Sequence, residues 1–247
     1  MTPALLIAHP GHELRIHGWL EAARPDVFII TDGSGATGVS RIAGSAELLR
    51  ATGCRRGSAF GRLTDADVYA LILRGDVEPL AVMTRDVTSW LVENDAEYAV
   101  ADACEFYNPV HDLCRVILKL AIERAEKLIG REIPQFEFAI VNSPAAGSAG
   151  DVVVNLDSAA LRRKIEIAKH YDGLGAEVES AIQRHGVDAF RTERLHLSDR
   201  RAPLPVPASK PYYEQRGEEQ VRAGRYAKVL RYEEHFLPYV QKLTREF

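Results

Sequence analysis

Two histidines stand three residues apart in Ala8-His9-Pro10-Gly11-His12-Glu13, where an apolar run stops at a Pro-Gly break and helical spacing begins. Neutral imidazole is a good zinc ligand, and a hydrolytic zinc site takes three protein ligands and leaves the fourth position to water. A third imidazole, His111, lies far along the chain in "CEFYNPVHD". Two ligands from a short turn and one from a distant loop is a common way to build such a site. Spacing alone leaves a plain alternative, a capping or solvated pair at a helix start.

For the three to meet, they must stand at the carboxyl ends of neighbouring strands. Residues 4–8 form a short, continuous apolar run of the kind a buried parallel strand shows. Residues 27–31 predict a second strand that ends in a Gly- and Ser-rich loop, and "EYAVADA" predicts another. "QFEFAIVNS" and "DVVVNLD" bracket a small-residue loop at 144–150 and predict a hairpin or two adjacent strands. Helices are expected after His12, through "SAELLRATG" with Gly53 as C-cap, and through "LTDADVYALIL" with Thr64 or Asp65 as N-cap. Further helices are expected in "VTSWLVEND", in "LCRVILKLAIERAEKLIG" up to Gly130, and in "SAALRRKIEIAKHY" behind Asp157 or Ser158. Strands alternating with helices imply an α/β fold with a mostly parallel sheet and helices on both faces. In that architecture ligands bind at the carboxyl ends of strands, near a switch in strand order.

The 247 residues suit one large domain or two small ones. A net charge of −4, with Arg and Lys spread along the chain, gives no footprint for nucleic acid. No apolar stretch approaches the roughly 20 residues of a membrane span, and the apolar start is too short for a signal peptide. Cys54, Cys104 and Cys114 form neither a CxxC pair nor an even set, so free thiols in a reducing, cytoplasmic setting are expected. The glycines at 33, 35 and 38 lack nucleotide-loop spacing, and no Gly-x-Ser-x-Gly elbow occurs. Four prolines in "RAPLPVPASKP" read as an extended connection, and the aromatic tail behind it reads as helical up to Pro238. The expected division is a domain over 1–200 and, over 201–247, a connector with a helical extension packed on it. The extension is expected to be one that the sheet can fold without.

On these residues the chain resembles the PIG-L/LmbE-like deacetylases, zinc enzymes that remove acetyl groups from N-acetylglucosamine-type sugars. That family opens with an apolar strand and Ala-His-Pro-Asp-Asp-Glu, where this chain has Ala8-His9-Pro10-Gly11-His12-Glu13. Its second strand ends in Thr-Asp-Gly, here Thr31-Asp32-Gly33, and its later His-Pro-Asp-His stands as Asn108-Pro109-Val110-His111. "NLDSAALRRKIEIAKHY" and "AFRTERL" continue the likeness, which runs in order over about residues 4–195. It implies a Rossmann-like (LmbE-like) three-layer sandwich. It also implies zinc held by His9, His12 and His111, with His12 in place of the family's Asp ligand.

The departures fall on the acid–base groups. Gly11 occupies the place of the family's general base, and Asn108 that of a histidine that helps to polarise the substrate carbonyl. An amide can donate to an oxyanion but cannot act as an acid. Glu13, Glu105 and Asp112 are the carboxylates that could stand in or hold a ligand's second nitrogen, although Asp112 also reads as a helix N-terminal acid. Tyr107 is expected beside Asn108 at the oxyanion. Asp32 could bind a sugar hydroxyl, brace His9, or simply make its turn, and Arg41 could contact substrate or solvent. His235, with Tyr212, Tyr213 or Tyr226, could close over the crevice. The expected function is a zinc-dependent hydrolase that removes an acyl group from an amino sugar or related amide. Its partner is then a small-molecule substrate, an N-acyl amino sugar or conjugate, with a homo-oligomer left open. The alternative is a non-catalytic or altered-chemistry member of the same fold that binds a sugar-like ligand.

Overall fold

A computed structural model describes residues 2–141, 149–199 and 205–247. Its strands are β1 (Ala4–Ile7), β2 (Asp26–Thr31), β3 (Arg55–Leu63), β4 (Ala99–Asp102), β5 (Gln135–Phe138), β6 (Val152–Asn155) and β7 (Thr192–Leu197). They form one sheet in the order β3-β2-β1-β4-β5-β7-β6. The pairs from β3 through β5 are parallel, while β7 runs antiparallel to both β5 and β6. The helices are α1 (His17–Ala23), α2 (Ile42–Thr52), α3 (Asp65–Arg74), α4 (Glu78–Glu93), α5 (Pro109–Ile129), α6 (Ser158–Lys169), α7 (Gly175–His185), α8 (Tyr212–Arg222) and α9 (Leu237–Thr244).

The apolar runs explain the layers. Every residue of β1 and β2 is buried, as expected for strands covered on both faces. Their side chains alternate: Leu6, Phe28 and Ile30 join one core with α4 and α5, while Leu5, Ile7, Val27 and Ile29 join the other with α1 and α2. The result is the three-layer α/β sandwich. After β1 the chain moves to β2 and β3, then crosses back through α3 and α4 to β4 on the other side of β1. The switch in strand order therefore lies between β1 and β4, where a crevice opens at the strand ends.

The punctuation reads as expected. Gly53 ends α2 in the left-handed region, Thr64 accepts from the Asp67 amide in a capping box, and Asp157 accepts from the Ala159 and Ala160 amides. Three expectations need correction. β3 is absent from the sequence reading, because an edge strand of mixed exposure carries no continuous apolar run. β5 and β6 are not adjacent, since β7 pairs between them. The loop expected between those two strands lies outside the described residues except for 149 and 150. The tail helix does not run to Pro238. α8 ends at Arg222, a π-helical turn spans Tyr232–Phe236, and Pro238 sits in the first turn of α9, where its missing N–H costs nothing. Tyr213, Leu230, Phe236, Tyr239 and Leu243 join the core around α4 and α5, so the tail completes that core. Among the described residues no helix is long and apolar enough to cross a membrane.

Candidate metal centre

The first turn of the site is set by Gly11, whose φ of 105° lies in the region that favours glycine. It allows the His12 amide to donate back to the His9 carbonyl at 3.3 Å, which closes the turn just beyond β1. The third imidazole comes from α5. Asn108 accepts from the Val110 amide at 2.9 Å, Pro109 follows at the start, and His111 stands in the first turn. The ring centroids of His9 lie 5.1 Å from those of His12 and His111, and the latter two are 4.6 Å apart. One nitrogen from each ring falls within 4.8 Å of the other two.

Two carboxylates stand behind the rings. His9 Nδ1 is 2.7 Å from Thr31 Oγ1 and 2.8 Å from Asp65 Oδ1. His12 Nδ1 is 2.7 Å from Asp102 Oδ2, which also accepts from the Ala8 amide at 2.8 Å. Each of these rings therefore has Nε2 as the nitrogen it can offer, the arrangement by which outer carboxylates orient ligating histidines. His9 Nε2 and His111 Nδ1 are buried with no partner among the described residues. An unmet buried nitrogen costs about 1–3 kcal/mol, which a bound cation would offset. Burial lowers the pKa of His12 and His111 well below the ordinary value, and the charges of neighbouring histidines add to this. Both rings are thus held neutral, the form that ligates metal. Burial opposes ionisation of Asp65, but hydrogen bonds from His9, the Gly35 amide and Thr31 outweigh it and hold the acid at about 2. Asp102, more deeply buried, is pushed up to about 6. Three imidazole nitrogens with carboxylates behind them fit a zinc ion.

The cluster opens onto a cavity of about 690 Å³, lined beside His12 and His111 by Tyr107, Asn108, Arg15 and Arg41. The Arg41 Nε is buried and has no partner among the described residues. Lys164, also on the wall, is neutralised by Glu193 at 2.8 Å and donates to the Arg15 carbonyl. Leu174 fills the space beside Gly11: its Cδ1 lies 2.2 Å from where a Cβ at that position would stand. One turn further on, in α7, Glu177 brings a carboxylate to the wall.

The carboxylates singled out in the sequence have other tasks, and none of the three lines this cavity. Glu13 is fully buried and accepts from the Gly11 amide at 2.8 Å and from the hydroxyls of Ser45 and Tyr171. Glu105 accepts from the amides of Ile140 and Val141 at 2.9 Å. Asp112, pushed up to about 6 by burial, accepts from the amides of Glu105 and Phe106 at 3.1 Å. Asp32 accepts from the Ser34 amide at 2.9 Å, the turn reading, while Thr31 and Asp65 brace His9 instead. His235 is absent from the cavity wall, because its Nδ1 accepts from the Arg231 amide within its own turn. The tail reaches the site through Tyr212, which stacks on Tyr107. Sequence reasoning missed Asp65, Asp102, Glu177 and Arg15. Asp102 did leave a signal, an acid closing an otherwise apolar strand.

No protein-family model matches the chain, and no curated protein matches it. Among solved structures, the conserved protein TT1542 from Thermus thermophilus aligns over 85% of this chain and 98% of its own, with 21% identity and a TM-score of 0.55. The antimicrobial reagent A40926 pseudoaglycone deacetylase Dbv21 aligns over 82% of this chain and 99% of its own, with 20% identity and a TM-score of 0.50. At these identities the likeness is one of fold, a three-layer α/β sandwich on a mostly parallel, Rossmann-like sheet.

Proposed function

We propose that the chain is a zinc-dependent hydrolase that removes an acyl group, acetyl in the simplest case, from an amino sugar or related amide. The observation that carries this reading is the meeting of His9, His12 and His111 at the switch point of the sheet, with Asp65 and Asp102 behind two of them. When bound, zinc would act as a Lewis acid on the amide carbonyl and lower the pKa of water. The chain's own groups surround that chemistry. Asn108 Oδ1 is committed to the Val110 amide, which leaves its Nδ2 to donate toward an oxyanion alongside the Tyr107 hydroxyl. Arg41 and Arg15 offer donors to the polar groups of the substrate. Proton acceptance falls to Glu177, the carboxylate on the cavity wall among the described residues, because Leu174 has closed the space beside Gly11. One structure of the same fold is a deacetylase, which agrees with this reading. The free thiols suit a reducing, cytoplasmic setting.

The same Leu174 contact favours a second reading, a protein that binds a sugar-like ligand without hydrolysing it. Acetate release from a panel of N-acetyl sugars separates the two. The hydrolase reading expects release that a chelator abolishes and added zinc restores. It also expects kcat to fall about 10²–10⁴-fold in Glu177→Gln, the usual contribution of a positioned proton acceptor. Binding of the same sugars with no acetate released would leave the second reading.

A further inference from the structure

Tyr107 belongs to two depressions at once. On one side it lines the histidine cavity; on the other, together with Asn108, it lines a groove of about 410 Å³. Tyr69, Tyr212, Tyr213, Tyr226, Arg216 and Gly217 build the rest of that groove, so five of the chain's nine tyrosines meet there. The rings of Tyr107 and Tyr212 are parallel within 2°, with centroids 4.5 Å apart. Tyr107, Tyr212 and Tyr226 remain 39%, 45% and 45% exposed, an aromatic patch of the kind that marks a binding surface.

The frame of this groove is tied down by hydrogen bonds. The Tyr212 amide donates to the Phe106 carbonyl at 2.9 Å, which ties the tail to the loop that carries Tyr107. Asp112 holds the same loop through the amides of Glu105 and Phe106, and the Glu105 carboxylate anchors it to the amides of Ile140 and Val141. A groove that is already formed does not lose affinity to ordering. Tyrosine offers a flat apolar face with a hydrogen-bonding edge, which suits a ring that has one apolar face and polar substituents around it. Both volumes lie in or near the range of about 300–1,000 Å³ usual for small-molecule sites.

We propose that the tyrosine groove is a second subsite, which takes a glycosyl or aryl ring joined to the acylated sugar whose amide lies in the histidine cavity. The placement of the first ring rests on the hydrolase reading; the groove itself is read by binding. The test is calorimetric titration of the full chain, in the presence of zinc, with three probes: N-acetylglucosamine, its β-1,4-linked dimer, and phenyl N-acetylglucosaminide. At least one two-ring probe is expected to bind about five- to tenfold more tightly than the single sugar. Tyr226→Ala, an exposed position outside any helix, is expected to remove that gain and leave single-sugar binding unchanged. A gain for the dimer alone identifies a glycosyl ring, a gain for the phenyl glycoside alone an aryl ring, and a gain for both a general ring platform. Equal affinity for one and two rings, no binding of any probe, or an equal loss for all three in Tyr226→Ala would overturn the proposal. So would a change of sedimentation in Tyr226→Ala with affinities unchanged, which would make the patch a contact between copies. Acetate released with the same KM from one- and two-ring probes would sink the subsite and spare the hydrolase. Two-ring binding without acetate would do the reverse.

Discussion

Asp102 receives the Ala8 amide and the His12 ring on one oxygen, which ties the orientation of His12 to the end of β1. Asp102→Asn keeps the shape and removes the charge. Zinc affinity, measured by competition with a chromophoric chelator, is expected to fall about 10–100-fold while circular dichroism stays the same. Unchanged affinity would mean that Asp102 has no part in holding His12 for the metal. Gly11 bears on the fold instead. Its φ of 105° and the Leu174 methyl 2.2 Å from a Cβ predict that Gly11→Ala destabilises the protein by about 1–3 kcal/mol in denaturant unfolding. A neutral result would show that Leu174 moves aside. The same crowding means that Gly11→Asp, though it places a carboxylate beside the histidines, should not raise activity. The histidines were legible because metal chemistry restricts residue type and spacing. Asp102 was not, because it stands 90 positions from His12 and only the parallel pairing of β1 with β4 brings the two together.

At the scale of elements, caps were readable and amphipathicity was uneven. Thr64, Gly53, Gly130 and Asp157 mark helix ends through local hydrogen bonds that need no tertiary context. α7 went unread although Val178 and Ile182 stand one turn apart on one face, because its stripe is short and only partly buried. Yet it follows Leu174 and brings Glu177 to the cavity, so part of the site came from an element with a weak sequence signal. The start of α3 offers a test that joins cap to site. Thr64 caps the helix whose first residue, Asp65, reaches His9. Thr64→Ala is expected to lower stability by about 0.5–2 kcal/mol. It should also weaken zinc binding in the same preparation. Stability lost with zinc affinity intact would show that Asp65 keeps its place without the cap.

Across the whole molecule, alternation of strands and helices made the layers legible, whereas the antiparallel insertion of β7 between β5 and β6 and the fate of the tail depended on packing far from their own sequence. Phe236, Tyr239 and Leu243 are buried to 5%, 1% and 0% exposure in the core around α4 and α5. Burial of such side chains is worth about 1.5–3 kcal/mol each, so together they rival the roughly 5–15 kcal/mol that holds a domain folded. A chain ending at Pro207 is therefore expected to lose its cooperative thermal transition; the same transition at an unchanged Tm would show that the tail is separable. The central claim, that three histidines at the switch point hold one zinc, is tested most directly by zinc-edge X-ray absorption on the full chain loaded with one equivalent. The account predicts three imidazole nitrogens at about 2.0–2.1 Å with no sulfur, and loss of tight binding in His111→Ala. Sulfur scattering at about 2.3 Å, or no uptake of zinc by the folded protein, would contradict it.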